Sequence, residues 1–523
     1  MAVVWPAVGD AKRQSTTVTG KAIWGASLEP LVSSEASVAV QRGLKDERNW
    51  RQGYIRHLTG VGSLMASSPT GALAHAEAGL AAVYDEFQVD VGEGRQPLRV
   101  AMEGWAAQDR STVQTKTIQG TGQPRDLSVP IRLAPTLDPT EVQGEQLIQQ
   151  AHQWAEYGAC EASVADTVKS AVAAARDGQL QTCLSERVFC LLGGTSALGP
   201  TRPLLHLGAT VAAVARPGAK LEDLMEAAKS SAGTLLVPAT SSSADAASSS
   251  EIVGLDVLAD PGLVAAWFLS IADQHPTKKL VVGSYIYLDG ELHVRASVAM
   301  DAIATVLLST LGRERVELAY LASPSTVHAW PDAARQAAAA RWQQRPWWAR
   351  VTWFENNERV SAVHPTEPDV PGATVMFNGL ASLQGPNYAL AKTMQLWRAV
   401  VARRDGVRVS SNFAPPSRTE SMTHSPTLAA VLNGLQAFEP LVVLEQDTCA
   451  AFMTVLLLGD LMPQPGNPAD PDLTLSHPWD LFTFNGFHGG SWTIGYTMES
   501  IGTATYVAGH VTPNRGTAGL VVA

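Results

Sequence analysis

The feature that most constrains this chain is a short apolar strand that ends in a glycine-rich turn. Residues 188–192 form a fully apolar run, and residues 193–199 follow at once as GGTSALG. A strand that enters a helix through such a turn lets the backbone approach a diphosphate, whose charge is stabilised by free amides and by the helix dipole. The turn therefore predicts the opening of a nucleotide-binding sheet. The candidate ligand contacts in it are Gly193, Thr195, Ser196, Leu198 and Gly199.

The sequence after this turn alternates short apolar runs with amphipathic segments. This alternation is typical of a parallel sheet that is covered by helices. The predicted strands are 188–192, 209–215, 234–237, 280–287, 316–322, 373–377 and 407–413, and the main predicted helices are 221–230, 261–272, 294–311 and 388–403. The chain is therefore predicted to be an α/β protein with a Rossmann-like, doubly wound parallel sheet and helices on both faces.

The first part of the chain has a different pattern. Helical periodicity at 71–87, 139–157 and 162–177 is separated by Gly/Pro/Thr-rich connections and by strand-like pieces near 97–102 and 127–133. We predict a mainly helical extension over residues 1–184, structural or oligomerising in role, followed by the sheet domain over 185–523. Only 17% of the residues are charged, below the roughly 25% that is usual. The extension is thus expected to pack on the sheet domain or on a partner, so we expect a homo-oligomer or a subunit of a larger assembly.

A tryptophan-rich insertion at about 324–371 interrupts the alternation. It holds five of the chain's 14 tryptophans within 24 residues: Trp330, Trp342, Trp347, Trp348 and Trp353. Such density predicts a buried packing surface, or alternatively a lid over an apolar substrate.

Charge and cysteine content exclude several classes of protein. The 38 basic and 49 acidic residues give a net charge of −11, with no block of Lys or Arg, so no nucleic-acid partner and no anionic membrane are expected. The four cysteines show neither metal-ligand spacing nor a disulfide framework, so no metal is expected either. No apolar run reaches the roughly 18 residues of a membrane span, and no secretory signal is evident. A soluble, intracellular protein is predicted, cytoplasmic or alternatively organellar.

Arg216 ends the second predicted strand. In a dinucleotide site an acidic residue at that strand end binds the ribose 2′-hydroxyl, whereas an arginine accommodates a 2′-phosphate. Arg216 therefore favours NADP over NAD, unless it is merely a solvated cation at a strand end.

Tyr388 and Lys392 form the second candidate site. A spacing of four places both side chains on one helix face. A nearby ammonium stabilises phenolate and lowers the pKa of a tyrosine, so Tyr388 is a candidate general acid and base.

These motifs, in this order, resemble the short-chain dehydrogenase/reductase family over about residues 188–490. The turn resembles that family's cofactor loop, the YALAK of residues 388–392 its Tyr-x-x-x-Lys pair, and residues 407–419 its later strand and nicotinamide loop. Residues 481–490 resemble its last strand, and the helical signal at 424–435 falls at its substrate lid. The resemblance implies that Asp256 lies near the adenine ring and that Pro415 and Thr419 lie beside the nicotinamide.

The family's catalytic serine has no clear counterpart. Its usual position, about 13 residues before the tyrosine, is Val375, inside a predicted strand. Ser382 is preferred because its loop leads directly to Tyr388. Asn378 is one alternative, and Ser323 is another if 316–322 is the catalytic strand and the Trp-rich segment an insertion.

Two functions follow from these observations. The first is an NADP(H)-dependent oxidoreductase that transfers hydride between nicotinamide and a carbonyl or alcohol, with an apolar small molecule as substrate and Tyr388 as general acid/base. The second is a catalytically eroded relative that serves as a nucleotide-binding or structural subunit. The altered serine position favours it, and so do residues 283–285, GSY, where the family has an asparagine-containing signature after its fourth strand.

Overall fold

The computed structural model describes residues 1–8, 11–14, 16–92, 94–132, 138–241, 251–368 and 370–511. It shows a mixed α/β protein with a mostly parallel central sheet. The α/β class predicted from the sequence is therefore confirmed.

Seven strands form the main path of the central sheet. From one edge to the other they are Glu251–Val253, Thr234–Ser241, Thr210–Val214, Arg187–Leu192, Lys279–Ser284, Val316–Ala322 and Val409–Phe413. All neighbours are parallel except the first pair. An eighth strand, Gln114–Gln119, comes from the N-terminal part and pairs antiparallel with Thr234–Ser241.

Two hydrophobic cores lie on opposite faces of this sheet. Alternate residues of the strand Arg187–Leu192 enter different cores: Val188 and Cys190 one, Phe189 and Leu191 the other. This follows from the two-residue period of a strand. The sheet helices are Thr201–His206, Ala219–Lys229, Pro261–Gln274, Glu291–Leu311, Pro386–Arg404 and Gln446–Leu461.

The N-terminal extension contributes to both cores. Its earlier helices join the first core with Trp24, Trp50 and Trp105, whereas its later ones join the second with Trp154. These helices are Thr16–Leu28, Glu35–Asp46, Trp50–Ser67, Pro69–Glu86, Leu98–Ala106, Gly144–Tyr157, Ala162–Arg176 and Gln179–Ser185. The described part of the extension also contains small sheets of short strands. One consists of Ala2–Val4, Gln88–Asp90 and Arg95–Pro97; another pairs Ala7–Val8 with Ala11–Gln14; and another pairs Ser128–Ile131 with Thr140–Gln143.

The strand-like interpretation of 97–102 is wrong, because the segment is the start of the helix Leu98–Ala106. Its buried residues are Leu98, Ala101, Met102 and Trp105. This is the spacing of one helix face, which a window of six residues does not separate from an alternating pattern.

The Trp-rich segment forms its own small unit between the strand Val316–Ala322 and the helix Pro386–Arg404. Three short strands pair antiparallel in the order Val327–Ala329, Met376–Asn378, Ala362–Val363. Its helices are Asp332–Gln343, Trp347–Val351 and Asn357–Ser361. The predicted strand 373–377 is therefore displaced to Met376–Asn378 and pairs in this small sheet, not in the central one.

The predicted strand at 481–490 is also wrong. Asn485, Gly489 and Gly490 have φ values of 56°, 62° and 90°, a left-handed backbone that strands do not adopt. The C-terminal part contains instead the short helices Glu420–Thr423 and Pro478–Phe482, the helices Pro426–Leu435 and Met498–Val511, and the paired strands Ser417–Arg418 and Leu444–Glu445.

One helix of the described residues, Glu291–Leu311, is long and apolar enough to cross a membrane by composition. Two thirds of its apolar window, 67%, is buried inside the protein. Burial in the first core, where this helix packs against the helix Pro386–Arg404, explains its apolar composition.

Candidate functional site

A cleft of about 530 Å³ lies along the carboxyl edge of the central sheet. The loops that follow five parallel strands line it, which is where ligands bind in open α/β sheets. Predicted site residues that line this cleft are Gly193, Thr195, Ser196, Leu198, Arg216, Asp256, Tyr388, Lys392, Pro415 and Thr419. The structure thus brings together residues that are more than 200 positions apart in the chain.

The glycine turn, residues 193–199, forms one wall. Gly193 has a φ of 97°, and a Cβ at Gly194 would lie 2.5 Å from the Cβ of Ala213. Both positions therefore require glycine. Gly199 faces a second cavity of about 470 Å³ on the other side of the turn.

Three backbone amides of this turn have no acceptor among the described residues: those of Thr195, Ala197 and Leu198. The amides of Gly193 and Ser196, by contrast, donate to carbonyls of Val214 and of the turn itself. Unpaired amides next to an open cleft are donors for an anion. The following helix, Thr201–His206, has only six residues, so the amides of the turn are the main donors here.

Arg216 lies at the end of the strand Thr210–Val214 and is exposed. It forms no salt bridge with any residue that the structure describes, so its charge is available to a ligand in the cleft. Asp256 accepts a hydrogen bond from the Leu258 amide at 2.9 Å, which orients its carboxylate within a turn.

Tyr388 donates a hydrogen bond to the Ser323 hydroxyl at 2.8 Å. Ser323 directly follows the strand Val316–Ala322, and its oxygen also accepts from the Ser325 amide at 3.2 Å. A serine hydroxyl has two lone pairs and one proton. Because both lone pairs are engaged, the Ser323 proton remains available to an acceptor in the cleft.

Burial raises the pKa of Tyr388 to about 12, against the opposing effect of its hydrogen bond to Ser323. The sequence-based expectation that Lys392 would lower this pKa is therefore wrong. The Lys392 ammonium donates instead to the Leu321 carbonyl and to Gln395 Oε1, both at 3.2 Å. Its own pKa is lowered to about 8 by burial.

Ser382, the preferred serine, does not lie at Tyr388. Its hydroxyl donates to Glu499 at 2.7 Å in an exposed position. The loop after Met376–Asn378 carries it outward, because that strand belongs to the small antiparallel sheet. Asn378 is likewise engaged elsewhere, by the Leu380 amide. Ser323, the third alternative, occupies the place beside the tyrosine.

Two aromatic residues that the sequence analysis did not select surround the tyrosine. The rings of Tyr287 and His293 lie 6.2 Å and 5.7 Å from that of Tyr388. His293 is buried, and neither of its ring nitrogens has a hydrogen-bond partner among the described residues. Burial, and then the charge of Lys392, lower its pKa to about 3, so its ring is neutral. His293 could have been selected from the sequence, because it lies in the first turn of the helix that follows the strand Lys279–Ser284.

The far wall of the cleft comes from residues 424–435, the position of the family's substrate lid, and from the short helix just before them. Met422 and Leu432 line the cleft from the helices Glu420–Thr423 and Pro426–Leu435. An exposed ion pair, Lys220 to Glu420 at 2.6 Å, joins this segment to the helix Ala219–Lys229.

Metal-ligating side chains do not cluster in the described ranges: no three His, Cys, Asp or Glu residues there could hold one ion. All four cysteines are buried free thiols.

A search of protein-family models and of curated protein sequences finds no match to this chain. The family resemblance therefore rests on the motifs themselves.

Proposed function

We propose that this chain is an NADP(H)-dependent oxidoreductase of the short-chain dehydrogenase/reductase type, acting on a carbonyl or alcohol. One observation carries the proposal: the hydrogen bond from Tyr388 to Ser323 lies in the same cleft as the glycine turn and Arg216. A proton donor and a polar orienting group next to a nucleotide cleft suit the reduction of a carbonyl.

The order of the central sheet supports the Rossmann-like part of the proposal. When the two antiparallel strands Glu251–Val253 and Gln114–Gln119 are left out, the six parallel strands lie in the spatial order third, second, first, fourth, fifth and sixth along the chain. This is the order of doubly wound dinucleotide-binding folds, in which the ligand spans the carboxyl ends at the point where the order reverses.

The cofactor fits the residues that line the cleft. The unpaired amides of Thr195, Ala197 and Leu198 suit a diphosphate, and Arg216 suits a 2′-phosphate. Asp256, Pro415 and Thr419 line the same cleft. When bound, the cofactor would supply or accept the hydride.

The chain's own residues supply the proton and orient the substrate. With a pKa of about 12, Tyr388 is protonated at neutral pH, and its hydroxyl can donate to the carbonyl oxygen as negative charge develops there. The Ser323 hydroxyl can donate a hydrogen bond to the same oxygen and so orient the carbonyl toward Tyr388. Lys392, with a pKa of about 8, is mostly charged at pH 7 and adds positive potential near this oxygen.

Substrate and assembly follow as further proposals. Tyr287, Leu321, Met422 and Leu432 give the lining of the cleft an apolar part, which suits an apolar carbonyl compound. A homo-oligomer or a place in a larger assembly, and a cytoplasmic location, remain predictions.

The eroded relative remains the second candidate, on one specific observation. Lys392 donates to Leu321 and Gln395, and the pKa of Tyr388 is raised, not lowered. A tyrosine with a raised pKa is seldom ionised at neutral pH and is therefore seldom available as a base. Oxidation of an alcohol would be slow, and the cleft could serve for nucleotide binding alone.

Titration of the purified protein with NADPH and with NADH tests the proposal. Energy transfer from tryptophan to nicotinamide and the melting temperature should both report binding, with NADPH tighter than NADH. Arg216→Asp should weaken NADPH more than NADH, whereas Arg176→Asp, an exposed arginine on the helix Ala162–Arg176, should change neither. Binding of neither nucleotide at millimolar concentration would refute both candidates that use the cleft.

Turnover separates the two candidates. If NADPH binds, Tyr388→Phe should leave binding intact and abolish reduction of a panel of apolar carbonyl compounds. Binding without turnover of any of them in the wild type would favour the non-catalytic relative.

A further inference from the structure

The proposed function leaves the Trp-rich unit, residues 324–371, without a role. Three of its five tryptophans, Trp347, Trp348 and Trp353, are exposed by 77%, 43% and 69%. None of the five lines the cleft. A buried packing surface therefore does not describe these three side chains, and their position does not support the lid that was predicted for the segment.

The first residues of the unit form a tight turn next to the tyrosine. The Ser325 amide donates to the Ser323 hydroxyl at 3.2 Å, and the Thr326 hydroxyl donates to the Ser323 carbonyl at 3.0 Å. Ser323 is therefore held at its side chain and at its backbone. Thr326 is fully buried, so water does not compete for its hydrogen bonds.

His328 continues this chain of hydrogen bonds. Its Nδ1 lies 3.1 Å from the Thr326 hydroxyl oxygen. That hydroxyl has one proton, and the Ser323 carbonyl takes it because a carbonyl can only accept. The Thr326 oxygen must therefore accept from His328, so Nδ1 carries a proton. Burial lowers the pKa of His328 to about 3, against the opposing effect of a hydrogen bond to the Thr326 backbone, so the ring is neutral and its Nε2 is unprotonated.

The surroundings of His328 are aromatic. The imidazole is fully buried, and the rings of Phe413, Trp492 and Phe377 lie 4.4 Å, 5.2 Å and 5.4 Å from it. Its Nε2 has no hydrogen-bond partner among the described residues. An unpaired buried polar atom costs free energy that a phenylalanine ring would not. Packing alone therefore does not explain a histidine here, whereas its hydrogen bond to Thr326 does.

The small antiparallel sheet fixes the position of these groups. His328 lies in the first strand of that sheet, which pairs with Met376–Asn378. The Gly379 amide donates to the Thr326 carbonyl at 3.0 Å. A Cβ at Gly379 would collide with the Pro324 carbonyl, so only glycine allows this close approach. The end of the second strand therefore packs directly on the turn.

We infer that the Trp-rich unit positions the Ser323 hydroxyl through Thr326 and His328. The His328 Nδ1–H fixes the direction of the Thr326 hydroxyl, which holds the Ser323 carbonyl, so the Ser323 side chain is kept at Tyr388. Neither Thr326 nor His328 lines the cleft, and both are therefore positioning residues. The inference rests on the proposed function, because it concerns the group that orients the carbonyl substrate.

Steady-state kinetics with a carbonyl compound that the wild type reduces tests the inference on the full chain. Thr326→Val and His328→Phe should each lower kcat about 3- to 30-fold, because a small displacement of an orienting group slows the reaction. KM for NADPH should not change. His328→Asn, whose amide nitrogen can replace Nδ1, should recover most of the kcat that His328→Phe loses. The urea midpoint of His328→Phe should be no lower than that of the wild type.

Thr448→Val and His75→Phe are the matched controls. Thr448 is 1% exposed, donates to the Pro130 carbonyl and accepts from the Arg132 amide. His75 is fully buried next to tryptophan rings, and its Nε2 has no partner among the described residues. Both controls should keep the kcat of the wild type.

A double variant separates positioning from a general loss of structure. In a Ser323→Ala background, Thr326→Val should lower kcat no further, because residues that act as a unit have non-additive effects. Hydrogen exchange followed by mass spectrometry tests the turn without turnover. The amides of Ser325 and Gly379 donate to groups of the turn. Their exchange should be at least about threefold faster in Thr326→Val and His328→Phe than in the wild type and the controls.

Three results would overturn the inference. The first is an active enzyme in which Thr326→Val and His328→Phe leave kcat unchanged. The second is a loss of kcat in Ser323→Ala/Thr326→Val equal to the product of the single losses, or one that follows the urea midpoint, since either would indicate a structural role. The third is unchanged exchange at Ser325 and Gly379, whether or not the wild type turns over. Absence of turnover with faster exchange in the two variants would contradict the proposed reductase alone, so the two failures are distinguishable.

Discussion

A buried ion pair joins the N-terminal extension to the helix that carries Tyr388 and Lys392. Arg398, 9% exposed, donates through Nε to Asp301 Oδ1 at 2.7 Å and through Nη2 to the Tyr84 hydroxyl at 2.8 Å. Asp301 is 6% exposed and also accepts from Tyr84. Three helices therefore meet at this network: Pro69–Glu86, Glu291–Leu311 and Pro386–Arg404.

Arg398→Met should destabilise the protein by about 3–5 kcal/mol, because it leaves the Asp301 carboxylate buried without a cation. Arg398→Met/Asp301→Leu should recover most of this loss, because the desolvated charge is then absent as well. The coupling between the two sites should therefore be about 2 kcal/mol or more. Urea unfolding followed by tryptophan fluorescence measures each free energy.

Lys229→Met is the matched control for the loss of one cation. Lys229 pairs with Glu226 on the surface, with both side chains largely exposed, so its loss should cost less than about 1 kcal/mol. If Arg398→Met costs no more than this control, or if the double variant is no more stable than Arg398→Met, the network does not act as argued.

Three further predictions concern the site and the core. Ser323→Ala should lower kcat/KM about 5- to 100-fold by removing a partly buried hydrogen bond to Tyr388, whereas Ser382→Ala should leave it unchanged; equal losses in a steady-state assay would contradict the assignment. Because burial lowers the pKa of Lys392 to about 8, carbonyl reduction should fall as the pH rises through 8, and a rate that stays level up to pH 10 would show that this charge is not needed. His75 is buried against Ser27 and Trp397, and burial lowers its pKa to about 4 from 6.5. The unfolded chain therefore binds this proton at a higher pH than the folded chain does, so the free energy of unfolding should fall by about 3 kcal/mol between pH 6.5 and pH 4. When the free energy of unfolding is measured at several pH values, its dependence on pH should be less steep for His75→Gln than for the wild type, by about one proton.

The local features of this protein were predictable because they depend on residues close together in the chain. The strand at 316–322 was predicted with its observed bounds, since it is a short apolar run next to turn residues. Tyr388 and Lys392 were placed together because a helix brings positions four apart onto one face. The glycine turn and Arg216 were placed at strand ends from their local pattern, whereas Asp256 was selected through the family resemblance, and all three line one cleft.

The tertiary structure decided which serine meets the tyrosine. Ser382 is six residues from Tyr388, but its loop leaves a separate antiparallel sheet and leads to Glu499. Ser323 is 65 residues away, yet the strand order brings it to 2.8 Å. Proximity in the chain was therefore misleading, because the Trp-rich unit folds as an insertion between the two positions.

The protonation of the site was likewise beyond the sequence. A Tyr-x-x-x-Lys spacing gives the relative position of two groups, but the pKa of each depends on how much water surrounds it. In this structure burial raises the pKa of Tyr388, against the opposing effect of its hydrogen bond to Ser323, and burial lowers the pKa of Lys392. The sequence thus determined which groups are present and where they lie along each helix and strand, whereas packing of distant segments determined their partners and their desolvation.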